Sequence, residues 1–300
     1  MKKCLSMALV VLLLFTGCGA NSVTTPAVQQ ATEIMLTDLD GNQVTLKNQP
    51  VRVVSLSPTN TEIMFAIGAE AQLVGVTSYC DYPAAAKDIA KIGDFEGANL
   101  ELITAAKPDL VLAGSYMQED IITALADLGI PVLSTEATSM NQIFSSIRLV
   151  GKATGNDAGA EKVVAEMEKN LASIAEKVAG KTAKSVFYCV WQDPLTTAGK
   201  NTFIDEAITL AGGKNVVTLD GWTEYSKEQL LTDEPDLLIS AKFSSDAGET
   251  LASVKNNEIF KNLACVKNDK VYLMKDDNLI SRGGPRIVLA IEEIRQALEK

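Results

Sequence analysis

LELITAAKPDLVLAG, residues 100–114, and KEQLLTDEPDLLISA, residues 227–241, are written to one plan. Each opens with a short amphipathic run, breaks at Pro-Asp, and enters an apolar stretch. Proline removes a backbone donor and clashes with the preceding turn, so each segment reads as a helix that must stop. The runs DLVLAG and DLLISA then read as buried strands. Only Glu, Pro, Asp and one Leu are identical between the two, so the order of elements around them has to carry the argument.

That order is also repeated. Before the first copy, IMLTDLDGNQVTL (residues 34–46) places two alternating runs around Asp40-Gly41, a strong hairpin signal. VRVVSLSP reads as a buried strand. Thr59 and Glu62 have capping-box spacing, predicting a helix from Thr59 that Gly68 ends. LVGVTSYCDYP is a second strand with its loop. The first copy supplies a third strand, and EDIITALADLG with IPVLST adds a helix and a fourth. After Gly180 the pattern returns. KSVFYCVW is a strand, NTFIDEAITLAGG a helix, the second copy another helix and strand, and KVYLM a last strand. A closing helix carries Ile287, Val288, Ile291, Ile294 and Leu298 on one side. Strand–helix alternation of this kind argues for α/β lobes with mostly parallel sheets.

Between the halves the sequence is helical throughout. Ser139 and Gln142 have capping-box spacing, and from Asn156 apolar residues recur at Ala160, Val163, Val164, Met167, Leu171, Ile174 and Val178. One face sustained over about five turns makes a stiff connector. The chain therefore divides into a leader (1–17), a tether (18–33), an N-terminal lobe (34–138), connecting helices (139–180) and a C-terminal lobe (181–300).

The leader has Lys2 and Lys3 followed by the apolar run Met7–Phe15, too short to span a bilayer but suited to a secretory signal. Thr16-Gly17-Cys18 then resembles a lipobox, with Cys18 as the lipidated residue. Residues 19–32 are small and polar, as a flexible tether requires. Loss of the leader takes the formal net charge from −11 to −13, and an acidic body does not suit nucleic acid. Cys80, Cys189 and Cys265 remain in the body, as one disulfide plus a thiol or as three buried thiols. With no histidine in the chain, Ser-His-Asp and Cys-His catalysis and His-ligated metal sites are excluded. No phosphate loop, GxSxG or GxGxxG is present.

Two α/β lobes leave a cleft beside the loops that follow their strands, where ligands favour binding. Those loops hold Ser57, Pro58, Tyr79, Tyr82, Phe95 and Tyr116 in the first lobe. In the second they hold Trp191, Trp222, Tyr225, Phe243 and Arg282. Aromatic residues are 5% of the chain, yet both tryptophans fall here, which suits a large, flat, partly apolar ligand.

VVSLSPTNTEIMFAIGA, VGVTSYCDYP, GANLELITAAKPDLVLA, LGIPVL, LAGGKNV and SRGGPRIVLAIEEI together resemble the substrate-binding lipoproteins of ABC importers. Within these, the similarity is to the helical-backbone type that binds cobalamin, siderophores or haem, with SPTNTE and TSYCDYP nearest the cobalamin branch. The resemblance covers nearly everything after Ile34. It implies two lobes closing modestly on a ligand, and delivery to a transmembrane permease. It further implies that the eleven loop residues line the two walls, with Arg282 on a propionamide, phosphate or carboxylate. One acidic residue per lobe would dock on the permease. These are Glu119 in the first lobe and, in the second, Glu249 with Asp246 as competitor. The expectation is a monomeric protein that is not an enzyme, carries no cofactor or metal of its own, and is lipid-anchored outside the cytoplasm. Its ligand would be cobalamin or a related corrinoid, the alternative being an Fe(III)-siderophore or haem. Since histidine is lacking, a corrin must be held by shape, stacking and hydrogen bonds, whereas tyrosine could still ligate haem iron. A nitrogenase-type two-lobe enzyme would need cluster-ligating cysteines, and these three lack any such spacing. A sensor lipoprotein that binds ligand and signals is a further reading.

Overall fold

The computed structural model describes residues 33–94, 97–114, 118–240 and 250–300. The first lobe opens with the hairpin β1 (Ile34–Thr37) and β2 (Gln43–Leu46). Gly41 turns it with φ +89°, and Asp38 Oδ1 accepts from the amides of Asp40 and Asn42. The lobe continues with β3 (Val53–Ser55), α1 (Pro58–Ala66), β4 (Leu73–Val76), α2 (Leu100–Ala105), β5 (Leu110–Ala113), α3 (Glu119–Asp127) and β6 (Val132–Ser134). Its sheet has the order β4-β3-β5-β6, all parallel.

Two helices follow, α4 (Met140–Thr154) and α5 (Asp157–Val178). The second lobe runs through β7 (Lys184–Gln192), β8 (Leu195–Ala198), α6 (Phe203–Leu210), β9 (Gly213–Asn215), β10 (Trp222–Glu224), α7 (Lys227–Asp233) and β11 (Leu237–Ser240). It then has α8 (Leu251–Asn256), α9 (Ala264–Lys267), β12 (Val271–Leu273), α10 (Asn278–Ser281) and α11 (Ile287–Leu298). Its sheet has the order β10-β8-β7-β11-β12, with β9 also on β7. The pairs among β7, β9, β11 and β12 are parallel, whereas β8 and β10 run antiparallel at the edge. That edge departs from the expectation: the loops around Trp191 and Trp222 are partly strand. Leu195–Ala198 folds back on β7 because Asp193-Pro194 is a tight reversal after a β-prone run.

The repeated segments do the same work in both lobes. Each helix, α2 and α7, ends at a non-glycine residue in the left-handed region, Lys107 (φ +48°) and Glu234 (φ +40°), directly before the proline. The aspartate that follows then fastens the neighbouring strand. Asp109 Oδ2 accepts from the amides of Val51 (2.9 Å) and Arg52 (3.0 Å), at the entrance to β3. Asp236 Oδ2 accepts from the amide (2.7 Å) and hydroxyl (2.8 Å) of Ser185, at the entrance to β7. The strands opened by these aspartates pair parallel with the ones they fasten, Val53 opposite Leu110 and Val186 opposite Leu237.

The central strands β3, β5 and β11 are buried on both faces, which is why β5 and β11 read as nearly unbroken apolar runs. Alternate residues serve different cores. Val53, Leu110 and Leu112 of the first sheet join Val186, Tyr188, Leu237 and Ile239 of the second in one continuous cluster, completed by α4, α5 and α11. The opposite faces hold separate clusters, Val54, Leu56 and Val111 in one lobe and Phe187, Cys189 and Leu238 in the other. The early half of α5 lies on the first lobe, so closely that a Cβ on Gly159 would stand 2.1 Å from the Ile67 carbonyl oxygen. Its late half lies on the second lobe, where Val178 meets Gly212. Cys80, Cys189 and Cys265 are buried thiols. Among the described residues no helix is long and apolar enough to cross a membrane.

Candidate functional site

The strand ends of the first lobe are held by a buried polar network. Ser57, 4% exposed, caps α1 by accepting from the amide of Asn60 (3.2 Å), with Pro58 as the first helical residue. The cap thus lies two residues before the Thr59 that spacing predicted. Asn60 Nδ2 donates to the Ala113 carbonyl (3.2 Å), and Thr135 Oγ1 donates to Asn60 Oδ1 (2.6 Å). Gln118 donates to the Leu56 carbonyl and accepts from the Gly114 amide. A Cβ on Gly114 would lie 2.7 Å from Ser57, so only glycine lets the β5 loop come this close. Three strand ends are thereby locked to one another, and Ser57 acts as scaffold while Pro58 lies at the surface of it.

Four aromatic rings stand exposed, two in each lobe: Tyr79 (61%) and Tyr82 (47%) in the loop after β4, Trp191 (48%) on β7 and Trp222 (52%) on β10. Trp191 Nε1 donates to the Asp193 carbonyl (2.8 Å). Trp222 packs edge-on against Phe203 with ring centres 6.0 Å apart. Phe203 Cε1 in turn lies 3.4 Å from where a Cβ on Gly283 would stand, and the neighbouring Gly284 faces Thr59. Tyr82 lies 3.8 Å beneath the Arg286 guanidinium carbon. One aromatic from each lobe is therefore anchored on the same segment, residues 282–286, which is where the lobes meet.

That junction is an ion-pair cluster. Glu62, on α1, has a side chain only 2% exposed. It accepts from Arg282 Nη1 (2.7 Å) and, in a fork, from Arg286 Nε (2.7 Å) and Nη2 (2.6 Å). Arg282 Nη2 also pairs with Asp81 (2.9 Å), and Arg286 Nη1 with Asp276 (3.3 Å). Arg282, which the resemblance assigns to a propionamide, phosphate or carboxylate, is here a mostly buried bridge between lobes. Arg286, Asp81, Asp276 and the true role of Glu62 escaped the sequence reading. A signal existed: the chain has 5 arginines against 22 lysines, and two of the five flank Gly-Gly-Pro. Arginine used so sparingly marks sites that need a planar, bidentate donor.

Tyr225 sits elsewhere. Its ring meets Phe187 at 5.5 Å and its hydroxyl donates to Asp233, placing it in the outer core of the second lobe. Burial and that carboxylate push its hydroxyl well above the ordinary tyrosine range. Glu119 is exposed at the start of α3. Phe95, Tyr116, Phe243, Asp246, Glu249 and Cys18 lie outside the described residues.

The periplasmic binding protein family matches residues 53–278, which takes in β3 to β12 and so the main sheet of each lobe. The chain belongs to this family. It is 33% identical over 300 residues to an uncharacterized ABC transporter substrate-binding lipoprotein of Bacillus subtilis strain 168, covering 95% of this chain and 93% of that one. It is 35% identical over 252 residues to the vitamin B12-binding protein of Salmonella choleraesuis strain SC-B67, covering 83% and 90%. Among solved structures it superposes on a possible iron-binding periplasmic solute-binding protein of Staphylococcus epidermidis. The TM-score is 0.73 and the identity 30%, over 84% of this chain and all of the other. As a periplasmic binding protein of the ABC-transporter class, the chain is a substrate-binding protein and not an enzyme.

Proposed function

We propose that the cleft captures cobalamin or a related corrinoid outside the cytoplasm and hands it to the transmembrane subunits of an ABC importer. The observation that carries the reading is the set of four exposed rings, two per lobe, with Tyr82 and Trp222 anchored on one junction segment. Paired rings facing a cleft offer stacking area to a flat macrocycle at low conformational cost. The similarity to a vitamin B12-binding protein supports the same ligand. Without histidine, the protein holds a corrin by its periphery and leaves the metal's axial positions to the ligand's own groups. Glu119 and Glu249 are the proposed docking residues, Cys18 the proposed lipid anchor, and the working unit a monomer.

Titration of the domain from Ser22 onward with cyanocobalamin, followed by calorimetry and the corrin absorption bands, tests the ligand. Sub-micromolar one-to-one binding is expected, and Trp191→Ala and Trp222→Ala should each weaken it about tenfold. No binding at tens of micromolar by the folded protein overturns the corrinoid. An Fe(III)-siderophore or haem is the second reading, favoured by the similarity to a possible iron-binding protein of S. epidermidis on the same fold.

A further inference from the structure

The junction cluster contains two guanidinium groups and three carboxylates, so it carries a net negative charge. Five of its six guanidinium nitrogens donate to acceptors in or beside it. Arg286 uses Nε, Nη1 and Nη2 on Glu62 and Asp276, with one face of the guanidinium on the Tyr82 ring. Arg282 uses Nη1 on Glu62, and Nη2 on Asp81 and the Tyr79 carbonyl. A ligand carboxylate that took the Arg286 fork would leave Glu62, whose side chain is 2% exposed, with a single bond from Arg282 and so undercompensate a buried charge. It would also approach Asp81 and Asp276, the more exposed carboxylates of the cluster. A ligand amide meets neither penalty, since it can donate to those two carboxylates and leaves the Arg286 fork in place.

Resting on the corrinoid reading, we infer that Glu62 sets the charge preference of the cleft. By holding Arg282 and Arg286, it makes the floor a receptor for an uncharged, amide-bearing ligand and turns away one that presents a carboxylate. Glu62 is thus a specificity-determining residue acting through the arginines, and two arginines in a binding cleft do not here mean an anion site.

The test uses two ligands of one shape: cyanocobalamin, and cyanocobalamin with one side-chain amide hydrolysed to a carboxylate. At pH 7.5 the wild type should prefer the amide by about tenfold, the order expected for one unit charge near a partly screened carboxylate. Glu62→Gln, which keeps an acceptor and removes the charge, should narrow that preference to about threefold or less. Should Glu62→Gln fail to fold, Asp81→Asn, at a more exposed position, should narrow it in the same direction by a smaller factor. Equal binding of both ligands by the wild type overturns the inference, as does an unchanged preference in the folded variants. If the wild type binds neither corrin, the corrinoid reading falls on its own. The charge rule is then read on a porphyrin dicarboxylate against its dimethyl ester, where preference for the ester upholds it and equal or reversed binding overturns it.

Discussion

Replacing Glu62 by alanine should cost this protein far more than any surface ion pair could. The carboxylate accepts three N–H bonds of 2.6–2.7 Å from two arginines, and its side chain is 2% exposed. Water cannot take its place, so the variant leaves two largely buried guanidiniums short of partners. Breaking a buried pair in this way costs about 3–5 kcal/mol. Here Asp81 and Asp276 still flank the arginines and retain part of the compensation, so the lower end, about 3 kcal/mol, applies. For a domain of this size that is a drop of roughly 6–12 °C in Tm. By contrast Arg148–Glu161, with 43% and 61% of its side chains exposed, should be worth under about 1 kcal/mol. Urea unfolding of Glu62→Ala, Arg286→Ala and the double variant measures the effect through the midpoint at constant slope. Once Glu62 is gone, removing Arg286 relieves an unpaired charge, so the double variant should cost about 1–2 kcal/mol less than the sum of the singles. A Glu62→Ala variant within about 0.5 kcal/mol of wild type, or single costs that simply add, would refute the argument.

The two strand-fastening aspartates should behave as equals. Asp109→Ala and Asp236→Ala each remove two charge-assisted bonds at exposed positions, where water partly substitutes, and each should cost about 1–2 kcal/mol. Lying in different lobes, their costs should add in urea melts. Glu119→Ala with Glu249→Ala should lower ligand uptake in a reconstituted importer while calorimetric affinity stays as in wild type; lost affinity would remove both from the docking surface. On α11, hydrogen bonds from Arg295 hold Glu292 down at about 2 from its ordinary 4.5, with Gln296 and Lys177 adding to the effect. A lowered carboxylate stabilises the fold above its ordinary value and loses that contribution as the pH falls, so between pH 4.5 and 2 the wild type should lose Tm more steeply than Glu292→Gln.

Much of the architecture is legible in single segments. The Asp40-Gly41 hairpin, the helix face of residues 160–178, the closing helix and the two Pro-Asp strands all follow from local rules of turn chemistry and periodicity. So does the absence of histidine chemistry, which composition alone decides. Where local rules competed, tertiary contacts chose. Glu62 had the right spacing to cap a helix at Thr59, yet Ser57 took that role because Pro58 favours the first helical position, leaving the carboxylate free to face the other lobe. Tyr225 and Trp222 look equivalent in the sequence; only the fold of β10 turns one toward Asp233 and the outer core, the other toward Phe203 and the junction.

The sequence by itself determined that this chain makes two α/β lobes on a helical connector, because each strand and each helix stop is specified by residues a few positions apart. Only the tertiary structure decided what lies where the lobes meet. Glu62 and Arg286 are separated by 224 positions, and no local periodicity relates them. Their pairing exists because α4 and α5 fuse the inner faces of both sheets into one core, bringing the middle of α1 against the start of α11. A buried carboxylate there must be matched by fixed positive charge, and Arg282 and Arg286 supply it.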